Sequence, residues 1–104
     1  MRKRILVAEP DPDVRAMLEA TLTRLGHEAV GCDDADTADA VVLEPGCPVA
    51  RSLLRRFGRA VPPVVCLSIW PHESVELPPE TVAYLQKPSS SARLAAVLAG
   101  VFAA

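Results

Sequence analysis

Four short, largely apolar runs each stop at a residue carrying a charge or a hydroxyl. They are Ile5–Ala8 before Glu9, Val41–Leu43 before Glu44, Val64–Leu67 before Ser68, and Ala83–Gln86 before Lys87. Continuous runs of this length suit strands buried on both faces, as in a parallel sheet covered by helices. In open α/β sheets, sites form outside the carboxyl ends of the strands. Glu9, Glu44, Ser68 and Lys87 are therefore expected to meet at one rim, and function is sought there.

The connections support this reading. Asp11 is suited to cap a helix and Pro12 to start it. Val14, Met17, Leu18, Leu22 and Leu25 then repeat at helical spacing, and Gly26 is the expected stop. His27–Cys32 reads as a second strand and Ala40–Glu44 as the third. Val49, Ala50, Leu53, Leu54 and Phe57 mark a second helical face ended by Gly58. Val64–Ser68 and Thr81–Gln86 follow as strands four and five, with Pro88 breaking the latter. A last helix covers about Ser91–Phe102, with Leu94, Val97, Leu98, Val101 and Phe102 inward.

Two segments break a regular alternation of strand and helix. Only seven residues, Asp33–Asp39, separate strands two and three, whereas a crossover with its helix needs at least about 10–12. Seven extended residues still span roughly 24 Å, and the crossing needs roughly 20 Å. The strand order survives, and the cover helix is lost or cut to a turn. The second segment, Ile69–Pro79, contains Pro71, Pro78 and Pro79. It reads either as a short helix near His72–Val75 or as an extended loop.

The 104 residues suffice for one domain, 1–104, with a modest core. Half are hydrophobic and 23% are charged, with both signs mixed, which places the chain among globular and not disordered sequences. The net charge of −2 gives no reason to expect nucleic acid. No apolar run approaches the ~20 residues of a membrane span or the roughly 7–15 of a secretory signal. A cytoplasmic protein is expected. Three cysteines without a CxxC pair argue against a disulfide framework or a zinc site. Cys32 and Cys66 read as buried strand residues, and Cys47, in a Pro-Gly-Cys-Pro loop, as a candidate for exposure. His27 and His72 have no partner at ligand spacing.

The order of elements, with polar residues at four strand ends, resembles the receiver domain of two-component response regulators. The likeness rests on RILVAEPDPDVRAMLEATLTRLGHEAV at 4–30, DAVVLEPG at 39–46 and AYLQKP at 83–88. It implies a flavodoxin-like, doubly wound five-stranded parallel sheet of order 2-1-3-4-5. Receivers accept a phosphoryl group on an aspartate ending strand three. An acid pair after strand one binds Mg²⁺, a Ser or Thr ends strand four, and a Lys-Pro ends strand five. An aromatic residue three positions before that Lys moves on activation. The resemblance puts Lys87, Ser68 and Tyr84 in the last three roles. It puts Glu44 at the acceptor position and Glu9 with Pro10 at the acid pair. Asp11 is acidic but one residue late, and is better read as the helix cap.

These departures bear on chemistry. Phosphoryl transfer depends on positioning and charge neutralisation. Glu44 extends its carboxylate about 1.5 Å beyond that of an aspartate, and a misplacement near 1 Å can cost roughly 100-fold in rate. Pro10 removes an oxygen ligand from a hard cation. Two carboxylates facing one lysine repel less than three, so the rim is expected to hold with no metal or other cofactor. A direct Glu44–Lys87 pair supplies about 4 kcal/mol of attraction at an effective dielectric near 20, before desolvation. Whether Glu44 imitates a phosphorylated acceptor or only inactivates it stays open; a Ser68–Glu44 bond favours imitation.

The expected protein is a degenerate pseudo-receiver. It is a non-enzymatic, phosphorylation-independent interaction module of bacterial signalling whose partner is another protein or a second copy of the chain. Tyr84 and Trp70 mark the expected output face. The rivals are a working phosphoacceptor using Glu9, Asp11 and Glu44, and a flavodoxin-like ligand binder; the chain lacks GxGxxG and GxxxxGK loops. Plainer readings stand beside these. Glu44, Ser68 and Lys87 are each ordinary strand-end residues when taken alone, and Tyr84 and Trp70 are equally packing aromatics. Arg51, Arg55, Arg56 and Arg59 form either a solvated helix face or a basic docking patch.

Overall fold

Strand residues alternate between two cores, and that alternation decides which helices cover which face. The computed structural model describes residues 2–58, 60–74, 76–87 and 90–103, with His72 described by its backbone alone. Its five strands are β1 (Arg4–Ala8), β2 (Glu28–Val30), β3 (Ala40–Leu43), β4 (Val64–Ser68) and β5 (Thr81–Gln86). They form one parallel sheet in the order β2-β1-β3-β4-β5. Ile5, Val7, Val42, Val65 and Leu67 face helices α1 (Pro12–Arg24) and α3 (Ser91–Ala103), through Leu18, Leu22, Leu94 and Leu98. Leu6, Ala8, Val41, Leu43, Val64 and Cys66 face the other side, where α2 (Ala50–Arg56) contributes Ala50, Leu53 and Leu54. This is the flavodoxin-like architecture expected from the strand runs. With period-two side chains and both faces covered, the inward positions before the rim residue Ser68 are apolar in β1, β3 and β4.

The first connection is built as its residues dictate. Asp11 has extended backbone, and its carboxylate accepts the N–H groups of Asp13 and Val14 at 2.9 and 3.3 Å. Pro12 follows in the first turn, where its missing N–H leaves no bond unmade. Gly26 ends the helix at φ +89°, a conformation that strains any residue with a Cβ. Gly58 does the same after α2 at φ +63°.

The crossover between β2 and β3 carries no α-helix. Cys32–Thr37 forms two 3₁₀ turns merged at Asp34, and of their side chains Ala35 is buried. Between β4 and β5 a 3₁₀ turn spans His72–Ser74. Among the described residues, one of the three crossovers on the α2 side of the sheet carries an α-helix. Val75 of the expected turn, Arg59 of the arginine row and Pro88, the expected stop of β5, lie outside the described residues.

Several expectations need correction. β2 ends at Val30 because Gly31 leads directly into the 3₁₀ turns, so Cys32 is exposed instead of buried in a strand. Cys47 is buried, since the turn after β3 folds back (Cys47 N–H to Glu44 C=O, 2.9 Å) and sets it against the α2 core. Met17 is 63% exposed, because the buried stripe of α1 runs through Leu18, Thr21 and Leu22. Val49 is 51% exposed, being the residue before the first turn of α2. Among the described residues no helix is long and apolar enough to cross a membrane.

At the amino ends of β1 and β2, His27 Nδ1 accepts the Lys3 N–H at 3.2 Å, and the ring leans on Phe102. Burial, followed by nearby positive charge including Lys3, holds the His27 pKa below its ordinary value. The unfolded chain therefore takes up this proton at higher pH than the native protein does. Stability contributed here is present above the ordinary histidine value of about 6.5 and falls as pH drops through it to the lower native pKa. Denaturant melts at stepped pH will show this decline, and His27→Gln will flatten it.

Candidate functional site

β1 and β3 pair in register up to Ala8 opposite Leu43, so Glu9 and Glu44 leave the sheet side by side. β4 and β5 pair up to Ser68 opposite Gln86, and the Lys87 N–H continues that pairing to the Ser68 carbonyl at 2.6 Å. The strand ends thus deliver three charged side chains to one rim. Lys87 Nζ donates to Glu44 Oε2 at 3.0 Å and also to Glu9 Oε1. The remaining carboxylate oxygens are occupied too. Glu9 Oε2 accepts the Asp11 N–H at 3.1 Å, and Glu44 Oε1 accepts the Gly46 N–H at 3.1 Å. The side chains are 4%, 14% and 16% exposed for Glu9, Glu44 and Lys87.

Burial alone would lower the Lys87 pKa; the hydrogen bonds and charges of Glu9 and Glu44 outweigh it and hold the ammonium above its ordinary value. Two carboxylates against one ammonium leave one negative charge over. Arg15 lies close, its guanidinium donating to the Glu9 carbonyl at 3.3 Å.

Ser68 is fully buried, and its Oγ accepts the Trp70 N–H at 3.2 Å. Among the described residues it makes no bond to Glu44. Tyr84 packs against the α2-side core and donates its hydroxyl to the Trp70 carbonyl. Gln86 Nε2 reaches the Ile69 carbonyl at 3.3 Å. The backbone after β4 is thus pinned by three hydrogen bonds at two successive residues, Ile69 and Trp70, while their side chains point outward, 61% and 58% exposed. Pro10 and Asp11 are also exposed, the Asp11 carboxylate being spent on the α1 cap.

No family model and no curated protein matches the sequence. Solved structures do match the fold. The receiver domain of a sensor histidine kinase from Pseudomonas aeruginosa, with a magnesium ion coordinated in its active-site cleft, aligns at TM-score 0.77 and 20% identity over 100% of both chains. A two-component response regulator from Clostridium difficile aligns at 0.78 and 21% identity, over 97% of this chain and 96% of that one. A CheY-like receiver domain from Methylobacillus flagellatus aligns at 0.75 and 20%, over 97% and 99%.

The fold is that of a receiver domain. Within it, the rim gathers Glu9, Glu44 and Lys87 by direct bonds, with Ser68 beneath through its backbone. Asp11 joins through its backbone amide alone, and Pro10, Tyr84 and Trp70 make no side-chain bond to the cluster among the described residues. Among the described residues, no group of three or more His, Cys, Asp or Glu side chains gathers to hold a metal. Its strongest oxygen donors, Glu9 and Glu44, are turned onto an ammonium, and Pro10 offers no side-chain ligand.

Strand-end logic puts Glu9 and Glu44 at the rim facing Lys87 and names the direct pair with Glu44; the direct bond to Glu9 and the approach of Arg15 are what the structure adds. Six positions after Glu9, Arg15 comes back over the strand end once α1 starts at Pro12; a helix begun that close to the rim was the available clue.

Lys87→Met will leave two carboxylates close together and buried without their cation. A loss of about 3–5 kcal/mol in unfolding free energy is expected. Because the native pKa is raised, the contribution of Lys87 is complete below the unfolded value of about 10.4 and is lost as pH climbs through the native one. Urea titrations at rising alkaline pH will show that loss in the wild type and not in Lys87→Met.

Proposed function

We propose that this chain is a pseudo-receiver: a regulatory interaction module of bacterial signal transduction, working in the cytoplasm without phosphoryl transfer and without Mg²⁺. The observation that carries this reading is the Lys87 ammonium bridging Glu9 and Glu44. In the receivers that the sequence resembles, the corresponding lysine serves a phosphoryl group and the acid pair serves a metal. In this chain those charges satisfy one another. Glu44 has one oxygen on Lys87 and the other on the Gly46 amide, so neither is poised as a nucleophile. The Ser68 hydroxyl is engaged by Trp70 instead of facing Glu44, which supports a locked rim over imitation of a phosphorylated acceptor.

Incubation with acetyl phosphate and Mg²⁺, followed by intact-mass measurement, tests this. The unmodified mass is expected. A stable gain of about 80 Da, one phosphoryl group, mapped to Glu44 would establish the working phosphoacceptor instead.

Output is assigned to the surface around Ile69, Trp70 and Tyr84. Large apolar side chains on a pinned backbone lose little freedom on binding, which suits an anchor for a protein partner or a second copy of the chain. In a pull-down from the source cell, Trp70→Ala combined with Tyr84→Ala should release partners held by the wild type. Capture that ignores both changes rules this face out.

A further inference from the structure

Beside the crossover between β4 and β5, where the described residues form a 3₁₀ turn and no α-helix, a cavity of about 420 Å³ opens between α2 and residues 76–80. That lies inside the range of roughly 300–1,000 Å³ typical of small-molecule sites. Leu43, Leu54 and Leu77 give it an apolar floor. Its two walls are oppositely charged: Arg51 and Arg55, one turn apart on α2, against Glu76 and Glu80.

Arg51 and Glu76 close on each other at 3.3 Å, but their side chains are 72% and 82% exposed. A pair so open to solvent is easily parted. Arg55 reaches only the Ser52 hydroxyl, at 3.2 Å. Among the described residues, neither Arg55 nor Glu80 forms an ion pair, with the other or elsewhere. An uncompensated cation and an uncompensated anion therefore line the same apolar cavity.

This arrangement discriminates among ligands by charge. A simple anion gains at Arg55 and loses at Glu76 and Glu80. A simple cation gains at those carboxylates and loses at the arginines. A molecule carrying both charges at one end of an apolar body gains at both walls and covers the floor. We propose that the cavity binds an α-amino acid with an apolar side chain, its carboxylate on Arg55, its ammonium on Glu80 and its side chain over Leu43, Leu54 and Leu77. Pro45, next to Glu44, lines the same cavity, so the occupant lies against the strand end that carries the locked rim. The assignment stands independently of what the rim does.

Amide shifts of the isotope-labelled protein, followed during titration with L-leucine, test it. Shifts at residues 50–58 and 76–80 are expected at millimolar concentration. N-acetyl-leucine lacks the ammonium, leucinamide lacks the carboxylate, and glycine lacks the apolar body; each should bind about tenfold more weakly or worse. Arg55→Gln and Glu80→Gln should each weaken leucine binding by about tenfold while leaving the ligand-free melting temperature unchanged. Absence of shifts in those segments overturns the proposal. So does equal binding of leucine and either single-charge analogue, or leucine affinity that neither substitution alters.

Discussion

One ammonium ties together the carboxyl ends of three strands. Lys87 extends from β5, passes over the end of β4, and ends between β3 and β1. A parallel sheet of this order brings strand ends into one row but does not bond them to one another. The Lys87 bridge does so at a place where the side chains are largely removed from water. Two carboxylates in such a place repel strongly unless a cation lies between them, and every one of their four oxygens has a donor. A buried charge cluster with all its groups satisfied is stiff, because any rearrangement must first leave a charge unpaired.

Much of this was legible in the residues. Unbroken aliphatic runs announced strands covered on both faces, and the polar residue after each run announced the rim. Asp11-Pro12 and Gly26 marked the ends of α1 because capping and positive φ are local chemistry. Even the missing helix after β2 could be read, since seven residues are too few to hold one and still cross. What escaped depended on tertiary approach. Cys47 looked exposed in a loop of prolines and glycine, and only the return of that loop onto the core buries it. Cys32 looked like strand because the apolar pattern runs to it, yet Gly31 leads the chain out of β2 into the 3₁₀ turns while β1 still runs on to Ala8. The partner of Ser68 is its own loop, which no spacing rule distinguishes from a bond to Glu44. Lys87 could be matched to Glu44 by register, but its simultaneous bond to Glu9 depends on how far the three side chains reach across the strand ends.

The two faces of the sheet have unequal cover. α1 and α3 close one side with complementary apolar stripes. On the other, α2 is flanked by 3₁₀ turns, and the sheet is covered there by single inserted side chains such as Ala35 and Leu77. Short crossovers save conformational entropy but bury less apolar surface. Around β4 and β5 the chain is held by side-chain hydrogen bonds to the backbone of Ile69 and Trp70.

That last point joins the rim to the outer surface. Ser68 takes part in both. Its carbonyl accepts from the Lys87 amide, and its hydroxyl accepts from the Trp70 amide, which heads the loop that Tyr84 and Gln86 fasten from β5. A shift of Lys87 would move the residue whose backbone ends the β4–β5 pairing, and through it the turn that sets Ile69 and Trp70 outward. Lys87, held by both acids, is thus joined to that turn through the one residue Ser68.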